Sequence, residues 1–222
     1  MDILVMCNGR QERFHGALRA PKQCLDIAPG ETIIERTARI ATGFGRLVLV
    51  SPDDAYWQAV ADIIRAPILS PGPTVTLVES LLAAVTDSYV ASGDLAVLLG
   101  DVVYSHRCLN AVVDGGSEIR IVGRTGGNPM TGKSHAEAFG MYVPGWRRAA
   151  VDEILKRLSA REGRQGLWQI YYELTGLHGP AYSPYLRELK DDWSDDVDSS
   201  EDLTLLPRLR ELAAEDDPPN AP

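Results

Sequence analysis

Lysine is scarce in this chain, with Lys22, Lys133, Lys156 and Lys190 the four present, and cations are outnumbered overall. There are 22 basic residues against 31 acidic ones, for a net charge of −9. Phosphate neutralisation supplies most non-specific affinity for a duplex, so this balance argues against nucleic acid as the main partner. Only three cysteines occur, Cys7, Cys24 and Cys108, an odd set without metal-ligand spacing. That excludes a disulfide framework and a zinc ribbon, and fits the reduced thiols of a cytoplasmic protein. The four histidines, His15, His106, His135 and His178, share no zinc-like spacing. No apolar stretch approaches the roughly 20 residues that span a bilayer. No basic segment precedes an apolar run at Met1-Asp2, so neither a targeting segment nor a membrane partner is expected.

What is present is enough apolar residue, 45% of the chain, to build a full core. Short apolar runs alternate with segments of helical period, the pattern of a mostly parallel sheet covered by helices. Strands are expected at Ile3–Cys7, Leu47–Val50, Pro67–Leu69, Asp94–Leu99, Glu118–Gly123 and Ala138–Val143. Helices are expected at about 32–42, 54–65, 74–91, 105–113, 146–159, 165–175 and 200–214. Gln23–Ile27 reads as a short extended piece. The expected architecture is a three-layer α/β/α sandwich with a mostly parallel mixed sheet. Residues 1–214 form a single domain, and 215–222, acidic and proline-rich, form a disordered tail.

Three constellations carry chemical potential. Cys7-Asn8-Gly9-Arg10-Gln11-Glu12-Arg13, with Pro21-Lys22 behind, leaves the first strand at the sheet edge where open α/β folds bind ligands. Gly9 would let backbone N–H groups approach a phosphate; Arg13 and Lys22 would neutralise it. A solvated basic loop reads equally well from these residues alone. Leu98-Leu99-Gly100-Asp101 puts a carboxylate at a strand end, suited either to Mg²⁺ or to capping the next helix. The run Trp193 to Leu203 holds Asp195, Asp196, Asp198, Glu201 and Asp202. Ser199 or Ser200 followed by acids is an ordinary helix cap. The carboxylates before it would repel one another unless a cation sits close, and a metal shared by Asp101 and Asp198 would answer that.

Taken together and in this order, the three segments resemble the nucleotidyltransferases of the GT-A-like fold. That group includes sugar-phosphate nucleotidyltransferases, phosphocholine-type cytidylyltransferases and molybdenum-cofactor guanylyltransferases. Cys7 to Arg13 stands where the family has A-A-G-x-G-x-R, and Pro21-Lys22 matches its P-K. Gly30 to Thr37 is similar to G-x-P-L-I-E-R-T, Gly100-Asp101 to the metal-binding Asp after the central strand, and Trp193–Leu203 to W-x-E-I-D-T-x-E-D-L. The resemblance implies Mg²⁺ held by Asp101 and Asp198, with Arg13 and Lys22 as the catalytic phosphate-binding residues. It also implies a nucleotide contacted by Cys7, Asn8, Gly9, Gly72, Thr74, Ser80 and Gly100. The implied activity is transfer of an NMP from an NTP to a small phosphorylated acceptor, a sugar-1-phosphate or a phosphocholine- or phosphonate-like compound, releasing pyrophosphate. The Trp193–Asp198 ending leans to the cytidylyltransferase branch and so to CTP. Cys7, Asn8 and Gln11 depart from the family pattern, and Gln11 replaces a glycine whose backbone freedom it lacks. A metal-dependent glycosyltransferase of the same fold, or a non-catalytic nucleotide-binding protein, stays open beside this. So does the oligomeric state, a homo-oligomer included.

Other features read two ways. Gly127 to Ser134 satisfies G-x-x-x-x-G-K-[ST], but the segment after it reads as strand where a Walker A needs a helix. The loop Gly123–His135 therefore reads as an acceptor-binding loop or a plain hairpin. Pro71-Gly72-Pro73-Thr74 with Thr76 and Glu79-Ser80 is a base and ribose site by the resemblance, or a stiffened turn and cap. Trp168, Tyr171 and Tyr172, at helical spacing, read as core.

Overall fold

The computed structural model describes residues 1–7, 18, 20–52, 55–72, 76–87, 90, 93–163, 165–179 and 183–217. The chain opens with β1 (Asp2–Met6), whose five residues are all buried because both faces of the strand are covered. Ile3, Val5 and Cys7 enter one core and Leu4 and Met6 the other, as the two-residue period of a strand requires. A 3-10 turn at Lys22–Cys24 follows, where the sequence suggests an extended piece; the extended part is limited to β2 (Asp26–Ala28), paired with β3 (Glu31–Thr32). Helix α1 (Ile33–Ala41) starts on a capping box in which Thr32 accepts from the Glu35 amide and Glu35 accepts from that of Thr32.

Then come β4 (Arg46–Val50), α2 (Ala55–Ile64), β5 (Ile68–Leu69) and α3 (Leu77–Thr86). Helix α3 starts on a second capping box, formed by Thr76 and Glu79, and ends at Thr86, short of the expected Ala91, where Asp87 turns to extended backbone. Next are β6 (Leu95–Leu99), β7 (Val102–Val103), α4 (His106–Val113), β8 (Arg120–Arg124) and β9 (Glu137–Val143). The strand at Glu137 removes the helix that a Walker A reading of Gly132-Lys133-Ser134 would need. The C-terminal part holds α5 (Arg148–Ser159), α6 (Leu167–Thr175), β10 (Leu186–Glu188), β11 (Asp195–Asp196) and α7 (Leu206–Asp216). Helix α6 stops at Gly176, whose φ of 72° suits a residue without Cβ.

The central sheet runs β10-β8-β9-β6-β1-β4-β5. All neighbours are parallel except β9, which is antiparallel to both β6 and β8. One face packs on α1, α2 and α4 through Ile34, Ala38, Trp57, Val60, Cys108 and Leu109. The other packs on α3, α5 and α6 through Val78, Leu81, Leu155, Leu158 and Ile170. This is the expected three-layer sandwich. Tyr171 is fully buried, with Trp168 and Tyr172 packed on the same core, so that trio is structural. No helix among the described residues is long and apolar enough to cross a membrane.

The end of the domain needs a correction. Helix α7 packs on Ile27, Ile33 and Val197 through Leu209, Leu212 and Ala213, and it runs to Asp216. It starts later than the sequence suggests, since a 3-10 turn occupies Asp202–Leu205. Asp216 and Asp217, placed in the disordered tail from sequence, pair with the buried Arg36, and Asp217 also with Arg39 and His106. A guanidinium that is 1% exposed needs partners, and the helix end supplies them. Residues 218–222 lie outside the described residues.

Candidate active site

Because β8 and β10 run parallel to β6, the C-terminal ends of β1, β4, β6, β8 and β10 share one edge of the sheet. Asp101 leaves β6 at that edge. Gly100 makes this tight: its amide donates to the Met6 carbonyl at 3.0 Å, and a Cβ there would strike Cys7 Sγ and crowd the Met6 carbonyl and Gln23. The glycine expected to touch a nucleotide is thus required first by packing of β6 against β1.

Asp198 reaches the same place from the far end of the chain. Strands β7 and β11 pair antiparallel, with Asp195 opposite Val103 and Asp196 opposite Val102, and the Val197 amide donates to the Asp101 carbonyl at 3.0 Å. The register of this two-stranded ribbon brings the two carboxylates together. Between them sits the Lys22 ammonium, in contact with Asp101 Oδ2 and 2.7 Å from Asp198 Oδ1, a pairing across 176 residues. The Lys22 side chain is 5% exposed, while those of Asp101 and Asp198 are 20% and 22% exposed. Burial pulls the Lys22 pKa down, but the charges of Asp101 and Asp198 more than reverse it and hold it well above the ordinary lysine value.

A second cationic centre adjoins the first. Lys133, from the loop between β8 and β9, contacts Asp196 Oδ1 and lies 3.1 Å from Asp195 Oδ1, 3.2 Å from Glu137 Oε1 and 3.4 Å from Asp202 Oδ1. It also donates to the Asp196 carbonyl at 2.6 Å. Arg124 contacts Glu137 and donates to the Ser194 carbonyl at 2.8 Å. Burial, then the charges of Asp196 and Asp195, push the Glu137 carboxyl above its ordinary value despite Lys133. These cations answer the self-repulsion that the acidic run posed in sequence. Neither Arg124 nor Glu137 was singled out there, since Arg124 read as part of the Gly-rich loop and Glu137 as a residue leading into the next strand. Lys133 was visible, but as part of a loop motif with another meaning.

The same loop borders an open cavity of about 600 Å³, lined among others by Thr125, Gly127, Asn128, Lys133, Glu188 and Lys190. Gly127 is obligatory there, as a Cβ would strike the Lys133 carbonyl across the turn that Asn128 closes. The cavity lies above the ends of β8 and β10. It is two strand spacings, roughly 10 Å, from β6.

Of the other expected site residues, Asn8, Gly9, Arg13 and Thr74 lie outside the described residues. Cys7 is buried, with its side chain in the core and burial pushing its thiol up, so only its backbone can face a ligand. Gly72, with φ of 74°, is a turn requirement of the backbone. Ser80 is fully buried and its hydroxyl donates to the Thr76 carbonyl within α3. The cap expected at Ser199 or Ser200 is found at Ser199, whose Oγ accepts from the Asp202 amide at 3.4 Å. Asp202 Oδ2 accepts from the amides of Asp198 and Ser199, at 2.7 and 2.8 Å.

Two carboxylates held on one cation are hard oxygen donors of the kind Mg²⁺ takes, so the donor set fits that ion. Among the described residues, Glu137, Asp195 and Asp196 also converge closely enough to ligate a metal, but Lys133 already lies among them.

No family model matches the chain, and no curated protein matches its sequence. Solved structures do match in fold. A protein assigned as a glucose-1-phosphate thymidylyltransferase of Bacillus anthracis is 11% identical, with TM-score 0.66 over 99% of this chain and 98% of its own. The inositol-1-phosphate CTP transferase of T. maritima is 12% identical, TM-score 0.63, covering 95% and 96%. The CTP:phosphocholine cytidylyltransferase of Streptococcus pneumoniae is 11% identical, TM-score 0.64, covering 96% and 98%. The chain therefore has the fold of these nucleotidyltransferases along nearly its whole length.

Proposed function

We propose that the protein is a Mg²⁺-assisted nucleotidyltransferase that joins the NMP of an NTP, CTP foremost, to a small phosphorylated acceptor and releases pyrophosphate. The observation that carries this reading is the meeting of Asp101, Asp198 and Lys22 at one sheet edge, in a fold shared with such transferases. Asp101 and Asp198 would hold the ion, which supplies charge neutralisation on the triphosphate when bound.

The chain's own contribution is positional and electrostatic. Lys22 keeps its proton at any working pH, so it serves as a fixed positive donor for phosphate oxygens and not as a base. An acceptor phosphate is already an anion. Its oxygen can attack the α-phosphorus in line, with pyrophosphate leaving, and no general base is required. The cavity beside the Gly126–Lys133 loop offers Thr125, Glu188 and Lys190 to the body of an acceptor, a sugar-1-phosphate or a phosphocholine- or phosphonate-like compound.

The test is pyrophosphate release with Mg²⁺, each NTP in turn and a panel of phosphorylated acceptors. Acceptor-dependent release that Asp101→Asn abolishes supports the proposal. Cleavage of a nucleotide-sugar without pyrophosphate would establish glycosyl transfer instead, and nucleotide binding without turnover would establish a binding protein.

A further inference from the structure

We infer that Lys133 is a positioning residue for Asp198, acting as a strut between the Gly-rich loop and the segment that carries this carboxylate. The inference rests on the metal reading above and deepens it. Asp198 has no strand of its own; β11 ends at Asp196, and the 3-10 turn begins at Asp202. Lys133 grips both sides of this gap. Upstream it bonds the carboxylate and the main-chain carbonyl of Asp196, and it lies 3.1 Å from Asp195. Downstream it lies 3.4 Å from Asp202 Oδ1, whose other oxygen accepts from the amides of Asp198 and Ser199.

One ammonium, 6% exposed, thus fixes the backbone two residues before Asp198 and the carboxylate that holds the amide of Asp198 itself. An ammonium with three donors on a flexible stem can serve several oxygens in different directions, which a planar guanidinium cannot do equally well. Lys133 also borders the cavity of about 600 Å³, so whatever fills that space leans on the residue that sets Asp198.

Charge and position predict opposite signs here. Removing a cation beside carboxylates raises the local negative potential, so electrostatics alone would tighten binding of a divalent ion. Loss of the strut lets Asp198 wander and loosens it; removal of residues that orient metal ligands typically lowers affinity about 10–100-fold.

The experiment titrates the full chain with Mn²⁺ alone and reads free ion by electron paramagnetic resonance, with circular dichroism to verify folding. Wild type is compared with Lys133→Met and with Lys133→Met/Asp195→Asn. The double variant removes one charge of each sign, leaving the Coulomb attraction near that of wild type and relieving the buried imbalance should the single variant not fold. Affinity at least tenfold weaker in the folded variants supports the strut. Wild-type or tighter affinity in the double variant, which lacks one carboxylate of the Glu137–Asp195–Asp196 cluster that Lys133 vacates, overturns it. Asp101→Asn and Asp198→Asn are run alongside: if they bind Mn²⁺ as wild type does, the metal reading itself fails, whatever the Lys133 variants show.

Discussion

Lys22 occupies the space between Asp101 and Asp198 that a divalent ion would claim, and this gives Lys22→Met two coupled consequences. Without metal, the substitution leaves two carboxylates facing each other with no shared cation. Breaking a buried ion pair from one side costs about 3–5 kcal/mol. Here both carboxylates are about one-fifth exposed and can draw on water, so the low end, about 3 kcal/mol, applies. In a chain of 222 residues this lowers the melting temperature by roughly 6–12 °C, at about 2–4 °C per kcal/mol. With Mg²⁺ or Mn²⁺ the variant should regain most of it, because a dication can take the ammonium's place; at a hundred times Kd, binding contributes about 2.7 kcal/mol. Wild type should gain less, since the ion has to compete with Lys22. Pyrophosphate release should be lost throughout, because the phosphate donor is gone. The assay is a thermal melt with and without the ion, followed by circular dichroism. Two results refute the reasoning: a metal-free variant that melts with wild type, or one that the ion does not stabilise more than wild type.

Gly100→Ala drives a Cβ into Cys7 Sγ, the Met6 carbonyl and Gln23. About 1–3 kcal/mol of stability should be lost in urea denaturation, with turnover falling further because Asp101 is the next residue. Thr76→Ala removes the N-cap of α3 and should cost about 1 kcal/mol by the same assay, with Mn²⁺ affinity unchanged. Burial raises the Asp217 carboxyl, but the Arg36 bond and charge, with help from His106 and Arg39, leave it below its ordinary value. A depressed carboxylate stabilises the fold fully above its unfolded pKa of about 3.9 and loses that contribution as pH falls through the lower folded value. Asp217→Asn should therefore be less stable than wild type at pH 6, with the difference shrinking below about pH 4. Equal melts at pH 6 would contradict the pairing.

The strands were legible because a strand buried on both faces has no polar residue to interrupt it, and Ile3–Cys7 and Asp94–Leu99 show that plainly. Asp101 and Asp198 were suggested as a pair by the acidic run's need for a cation and by the family pattern. Nothing local in either segment reports that β7 and β11 zip together, since a two-residue ribbon carries no periodic signal. The cap of α3 was legible in Thr76 and Glu79, which close a capping box; its end was not, because Asp87 turns to extended backbone and stops the helix at Thr86. The tail was misread because composition reports what a segment lacks for burial. It does not report that Arg36, 36 residues into the chain and read only as part of a helix, lies buried and in want of carboxylates. The Lys133 network was out of reach for the same reason: its anions and its cation come from separate stretches, and only the fold places them together.

The charge arrangement also bears on one of the readings that the sequence left open, a nucleotide-binding protein without metal. At this sheet edge Lys22, Lys133 and Arg124 are set among Asp101, Asp198, Asp196, Asp195, Asp202 and Glu137, so acid predominates even with Glu137 pushed towards its neutral form. A nucleoside triphosphate adds several negative charges of its own. At a surface-like dielectric near 20, two like charges about 4 Å apart repel by roughly 4 kcal/mol. Lys22 is already shared between two carboxylates and cannot by itself offset that for a triphosphate. A divalent ion on Asp101 and Asp198 would cancel the charge of those two carboxylates and free Lys22 for the phosphates. Nucleotide and metal readings therefore stand or fall together at this edge. A protein that only bound nucleotide, with no metal, would gain nothing from two carboxylates brought together at one end of the β7–β11 ribbon.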